Sequence, residues 1–359
     1  ALDPVAAGAQ FDILAPESEM AELVPGPLSC ERGVRPDSLR SPFRSVLWHQ
    51  AALPFEARRA RWDVAFLPAA NRRLPAWMPC PTVGTVHDTS MAKVAAKYDR
   101  THSAYFHSVL PALIRRLDAV ITVSECSKRD IVEIAGVEPS RIHVISHGVN
   151  ASRFHPHDDA ASARLRAARG LDAPYLLYVA RLEHPGKNHV ALIRAFERMK
   201  ARTGSPIELV LAGAPWNGAD HIHEAARRSS CADTIRFTGF TPESELPALY
   251  RGAQAFIFPS LYEGFGMPLL EAMSSGVPVA CSSVSSLPEV AGEAAEYFDP
   301  RDDESIAEAL ERLVTDPGRL AELRARGLER AAGFTWAESV KRTLDVFRRV
   351  SGRSLREAA

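Results

Sequence analysis

Short apolar runs and longer amphipathic stretches alternate along almost the whole chain. Runs of three to five mostly apolar residues read as strands buried on both faces of a sheet. They fall at 11–15, 64–67, 82–86, 119–123 and 143–146, and again at 175–179, 207–211, 235–237 and 255–258. Between them, helical patterns cover 44–60, 102–117, 188–200, 219–230 and 243–251. Ser124 stands where a helix cap belongs, and Gly136 stands where that helix should stop. Further helical patterns follow at 303–314, 317–332 and 336–350. Alternation of this kind predicts an α/β fold with parallel sheets and helices on both faces. The polar, turn-rich HGVNASRFHPHDDAAS at 147–162 breaks the alternation and marks a boundary. The predicted division is two Rossmann-like, doubly wound domains at 1–155 and 156–335, with a closing segment at 336–359.

One stretch, FIFPSLYEGFGMPLLEAMSSGVPVACSSVSSLPEVAG at 256–292, packs strand, Gly-rich turn, helix and strand closely together. Pro259 ends the strand, Gly264 and Gly266 loosen the turn, Pro268 suits the first turn of a helix, and Gly276 closes it. The N–H groups of Gly264, Phe265, Gly266 and Met267 then lie at a helix N-terminus on the carboxyl edge of the sheet, where an anion is held without metal. Glu263 and Glu271 flank that turn and are placed to face one small volume as acceptors for hydroxyl groups. A ligand carrying phosphate and sugar hydroxyls fits both features. The plainer alternative is one solvated turn glutamate and one glutamate favoured by the helix dipole. Arg181 and Lys187 follow the strand at 175–179, again at its carboxyl end, where open α/β sheets take ligands. His87 and Asp88 end the strand at 82–86.

At 359 residues with 46% hydrophobic residues, the chain has room for two cores. A net charge of −1 excludes the basic excess that nucleic-acid binding draws on. Only six of its 43 basic residues are lysine, which gives Lys187 more weight than an average cation. Cysteines 30, 80, 126, 231 and 281 are widely spaced, and this pattern favours reduced thiols in a cytoplasmic protein over disulfides or a zinc site. No apolar run of membrane-spanning length occurs. HDD at 157–159 and RDD at 301–303 read as caps or solvated faces rather than metal ligands. In HSVLPALIRRL at 107–117 a membrane-surface contact competes with a core-packed helix. A dehydrogenase is the first rival on fold class, but no GxGxxG is present.

The spacing Glu263-x7-Glu271 within PSLYEGFGMPLLEAM, together with RLEHPGKN, LVLAGA, IRFTGF, LPALYRGA and FTW, resembles the retaining GT-B glycosyltransferases of family 4, the glycosyl transferases group 1. TVHD, DAVITVSE and HGVN extend the likeness through the first half. The resemblance implies two nucleotide-fold lobes facing a cleft, with the acceptor on the first, the nucleotide sugar on the second, and the last helix returning to the first. It implies Arg181 and Lys187 on the diphosphate, Glu263 on the transferred sugar, Glu271 on the ribose, and backbone donors at Phe265, Gly266 and Met267. Gly213 and Ala214 would approach the nucleotide, Glu243 and Leu246 the base, and His87, positioned by Asp88, would face the sugar as an active-site histidine. A first strand and Gly-rich loop, absent from this sequence, would precede residue 1. The implied donor is GDP-mannose and the acceptor a saccharide or lipid-linked saccharide at the inner face of a membrane, with retention of configuration and no metal. A non-catalytic nucleotide-sugar-binding subunit and a GT-B phosphorylase or epimerase are the alternatives.

Overall fold

The apolar runs form strands because both of their faces are covered. Leu176 and Leu177 in the first strand of the second half, and Phe256 and Ile257 in the run before the Gly-rich turn, are wholly buried. The computed structural model describes residues 10–23, 31–70, 74–89, 108–157, 160–171 and 173–352. A four-stranded parallel sheet runs β3-β4-β5-β6, from β3 (Ala65–Leu67), β4 (Thr82–Thr85), β5 (Ala119–Thr122) and β6 (Ile142–Val144). A six-stranded parallel sheet is ordered β12-β11-β10-β7-β8-β9. Its strands are β7 (Tyr175–Val179), β8 (Glu208–Ala212), β9 (Ile235–Gly239), β10 (Ala255–Phe258), β11 (Val279–Ser282) and β12 (Ala295–Phe298). The order reverses between β7 and β10, and the crevice outside the carboxyl ends of such a pair is where open α/β sheets take ligands.

The predicted helix at 44–60 begins earlier: Pro42–Leu47 and Leu53–Ala60 are joined by a π-helical turn at Trp48–Ala52. Ser124 caps the helix Glu125–Ala135 by accepting from the Ser127 N–H at 3.0 Å, and Gly136 ends it with φ of 62°. Of the pattern at 102–117, residues 102–107 lie outside the described residues. In the helix Leu110–Ile114, Leu110, Pro111 and Ile114 are buried, which is the core-packed alternative.

Several elements were not expected. The expected strand β1 (Asp12–Pro16) pairs in parallel with an unexpected β2 (Glu31–Arg35) in a small separate sheet, and ERGVR lacks the apolar run that marks a buried strand. β12 is an edge strand with a half-polar AEYF sequence. The helix Ala160–Ala168 starts inside the segment read as a linker. Asp302 caps the helix Asp303–Thr315 through the Glu304 N–H, so RDD includes a cap; Asp158 and Asp159 lie outside the described residues.

The helix Trp336–Ser351 lies against the four-stranded sheet. Arg342 donates to the Val144 carbonyl at 2.7 Å, Ser339 donates to the Ser146 carbonyl, and Val346 packs with Val83, Ala119 and Ile121. The chain crosses itself tightly on the way in. A Cβ at Gly148 would sit 2.1 Å from the Trp336 nitrogen, and the Val149 N–H donates to the Phe334 carbonyl at 3.0 Å.

Candidate active site between the two sheets

The loop after β7 is held by the loop after β8. The Leu182 N–H donates to the Ala214 carbonyl at 2.9 Å, and the Trp216 N–H returns to the Leu182 carbonyl at 3.1 Å. Gly213 makes this possible, because a Cβ there would lie 1.9 Å from the Ala180 oxygen. Arg181 is thereby fixed with its guanidinium over the Trp216 ring at 4.9 Å and 3.2 Å from the buried Glu183 carboxylate. Lys187, at the end of the same loop, places Nζ 2.6 Å from Glu263 Oε1; both side chains are more than four-fifths shielded from water. A pair so shielded is strong only while each charge keeps a partner, so a ligand entering here must replace what it displaces.

The turn after β10 is shaped from behind. Ser286 Oγ donates to the carbonyls of Glu263 at 2.9 Å and Phe265 at 3.1 Å, and the Glu263 N–H donates to Ser285 Oγ at 3.1 Å. Gly266 takes φ of 102°, a conformation that disfavours side chains, and opens the helix Met267–Ser274. Among the described residues no acceptor takes the N–H groups of Gly264, Phe265, Gly266 or Met267. Gly264 also sets the distance between the lobes. A Cβ there would come within 2.2 Å of the His87 oxygen, and the Gly264 carbonyl accepts from Ser124 Oγ at 2.7 Å.

These groups line a cavity of about 290 Å³ walled by His87 and Asp88 on one side and Arg181, Lys187, Glu263 and the Gly264–Met267 turn on the other. His87 Nε2 lies 2.8 Å from the Pro68 carbonyl, which only accepts, so Nε2 is the donor in this bond. His147 stacks on His87 with centroids 5.4 Å apart and meets Phe265 edge-on at 5.2 Å. Burial, helped by His87, lowers the His147 pKa to about 4.

Glu271 is placed differently from the other site residues. It is not part of that wall; its Oε2 accepts from the Tyr250 hydroxyl at 2.9 Å, and burial raises its pKa against the lowering effect of that hydrogen bond and of Arg153. Of the two glutamates, Glu263 lines this cavity and Glu271 does not. Glu243, expected near a base, pairs with Arg153 at 2.9 Å.

Sequence reasoning missed the contacts that join the lobes. Tyr262, one residue before Glu263, donates to Asp130 and lies 2.9 Å from the Thr89 hydroxyl. Glu289 accepts from the Glu125 and Cys126 N–H groups, each at 2.7 Å. Nothing local in the sequence announces partners more than a hundred residues apart. Among the described residues, no group of three or more His, Cys, Asp or Glu is placed to hold a metal ion, and no helix is long and apolar enough to cross a membrane.

Two parallel α/β sheets with a cation- and amide-lined cavity at the switch point are the GT-B architecture. Anabaena HepE, crystallised with UDP, shares the fold with a TM-score of 0.73 and 18% identity, covering 97% of this chain and 93% of that one. Residues 162–331 match the family Glycosyl transferases group 1, and residues 5–153 match Glycosyltransferase Family 4. The chain is 32% identical over 267 residues to O-antigen chain mannosyltransferase B of Escherichia coli, covering 74% of this chain and 70% of that protein. It is 30% identical over 302 residues to the serotype-specific mannosyltransferase WbdA of Escherichia coli, covering 82% of this chain and 36% of that relative. The chain belongs to glycosyltransferase family 4, whose members are hexosyltransferases that use nucleotide sugars.

Proposed function

We propose that the protein transfers mannose from GDP-mannose to a hydroxyl of a saccharide or lipid-linked saccharide, with retention of configuration and without a metal. The observation that carries this is the Lys187–Glu263 pair beside Arg181 and the unused N–H groups of the Gly264–Met267 turn, all on one cavity at the switch point. The names of the relatives supply the sugar.

Arg181, Lys187 and the turn amides take the diphosphate, because negative charge grows there as the sugar C1–O bond breaks. Once the phosphate engages Lys187, Glu263 is released to accept from sugar hydroxyls. Glu271 takes the ribose: Tyr250 occupies only its Oε2, leaving Oε1 for a hydroxyl donor. His87 faces the transferred sugar, with Asp88 beside it. The acceptor oxygen bonds to C1 on the face the diphosphate leaves, and its proton passes to the departing phosphate oxygen. Two arginine- and lysine-borne charges and several amide dipoles do the work a divalent cation does elsewhere. In this reading residues 1–155 bind the acceptor, 156–335 bind the donor and 336–359 tie the two together. We place the enzyme in the cytoplasm at the inner membrane face.

The test is proton NMR of the product formed from GDP-mannose in the presence of excess chelator. An α-mannosidic product is expected from the α-linked donor; a β-linked product, or turnover that stops with chelator, would refute the mechanism.

A further inference from the structure

A second cavity, of about 350 Å³, lies at the opposite edge of the six-stranded sheet, where Gln254 leads into β10 and Val277 and Pro278 lead into β11. Among the described residues its charged wall is of one sign: Arg251, which also donates to Ser162 Oγ, and Arg324 contribute guanidinium groups, and no described lining residue is acidic. Arg324 stands apart from its neighbours on the helix Pro317–Ala332. Arg319 pairs with Glu296 and Glu322, and Arg326 pairs with Glu322, whereas no carboxylate among the described residues pairs with Arg324. Ser275 also forms part of the wall. It is 3% exposed, and its hydroxyl has no hydrogen-bond partner among the described residues. A buried hydroxyl left unpaired costs stability unless something completes it. Gly276 keeps the space open, since a Cβ there would sit 2.8 Å from the Pro156 side chain and 3.4 Å from Arg324 Nε.

The carbonyls that end the helix Met267–Ser274 would repel an anion, but three are already engaged. Glu271, Ala272 and Met273 accept from the N–H groups of Ser275, Val277 and Gly276. That helix has one end in each cavity: Met267 and Pro268 line the first, and Ser275 and Gly276, just past its last turn, line the second. Eight residues of helix span only about 12 Å. A forked guanidinium suits phosphate oxygens in two-point contact.

We infer that this cavity is a second ligand site, for a small molecule carrying a phosphate group, and that its occupancy is felt at the donor cavity through the helix Met267–Ser274. The binding half stands by itself; the coupling half rests on the donor reading above.

Inorganic phosphate is the probe, compared with chloride at matched ionic strength by thermal melting. Wild-type protein and Lys187→Ala are both expected to gain melting temperature with phosphate, because the probe acts away from the donor cavity. Arg324→Ala is expected to raise the phosphate Kd about tenfold or more while keeping the phosphate-free melting temperature and basal activity. Ser275→Ala removes an unpaired hydroxyl, so it should be neutral or stabilising without phosphate and blunt the response with it. If Arg324→Ala melts lower without phosphate, the arginine caps a helix end as well, and Ser275→Ala then decides. No phosphate response in wild type, a response lost in Lys187→Ala, or one unchanged in both Arg324→Ala and Ser275→Ala would overturn the site. For the coupling, GDP affinity measured with and without phosphate must differ in wild type and not in Arg324→Ala; equal affinities would overturn it. Failure of GDP to bind under any condition would instead strike the donor reading and leave the phosphate site standing.

Discussion

Lys187 and Glu263 are separated by 76 positions, yet each carries the other's charge within the same shielded volume. Their identities were legible because a cation after one buried strand and a carboxylate after another fall at the carboxyl edge of a parallel sheet. Their pairing was not, since spacing along a chain says nothing about which loops meet. Glu271 shows the same limit: the count from Glu263 does not announce its hydrogen bond with Tyr250. Gly264 gives a sharp prediction at this scale. Gly264→Ala must push back the His87 backbone 2.2 Å away, so activity should fall at least about tenfold with the circular dichroism spectrum unchanged. Wild-type turnover in that variant would refute the close approach. His147 gives another. Its folded pKa of about 4 is below the ordinary 6.5, so the unfolded chain binds the proton more readily as pH falls. The neutral ring's contribution to stability is therefore complete above pH 6.5 and is lost from there down through about 4. His189, lowered to about 3 by burial and Lys187, acts in the same direction. Melting temperature against pH should fall less steeply over that window in His147→Phe than in wild type; identical slopes would contradict this.

At the scale of elements, strands buried on both faces were the most legible, since β7, β8 and β10 are near-continuous apolar runs. β2 and the half-polar edge strand β12 were hidden because only partner strands make them strands. The helix Glu125–Ala135 was legible from its cap and its glycine, but its N-terminus has a second acceptor that no local pattern could reveal. The Glu289 carboxylate spans the Glu125 and Cys126 N–H groups from the other lobe, where the helix dipole favours negative charge. Glu289→Ala should lower stability by about 1 kcal/mol in chemical denaturation. It should also raise KM for the donor more than it lowers kcat, because it loosens closure and leaves the cavity wall intact. An unchanged KM would remove Glu289 from the closing contact.

For the whole molecule, contacts among the described residues join the two sheets beside the cavity. Ser124 reaches Gly264, Tyr262 reaches Asp130 and Thr89, and the return of the chain past Gly148 brings Trp336 within 5.5 Å of the His147 ring. Lobe contact, donor turn and last helix thus share one small region, and a change in lobe spacing must alter the site. The two parallel sheets were legible from strand–helix alternation, while the junction was not, because its contacts join distant parts of the chain. The central claim is that the diphosphate of a nucleotide sugar sits on Arg181 and Lys187. Calorimetric titration of GDP into wild type and into the Arg181→Ala Lys187→Ala double variant tests it most directly. The account predicts affinity weakened about 100-fold or more with the variant still folded; equal affinities would contradict it.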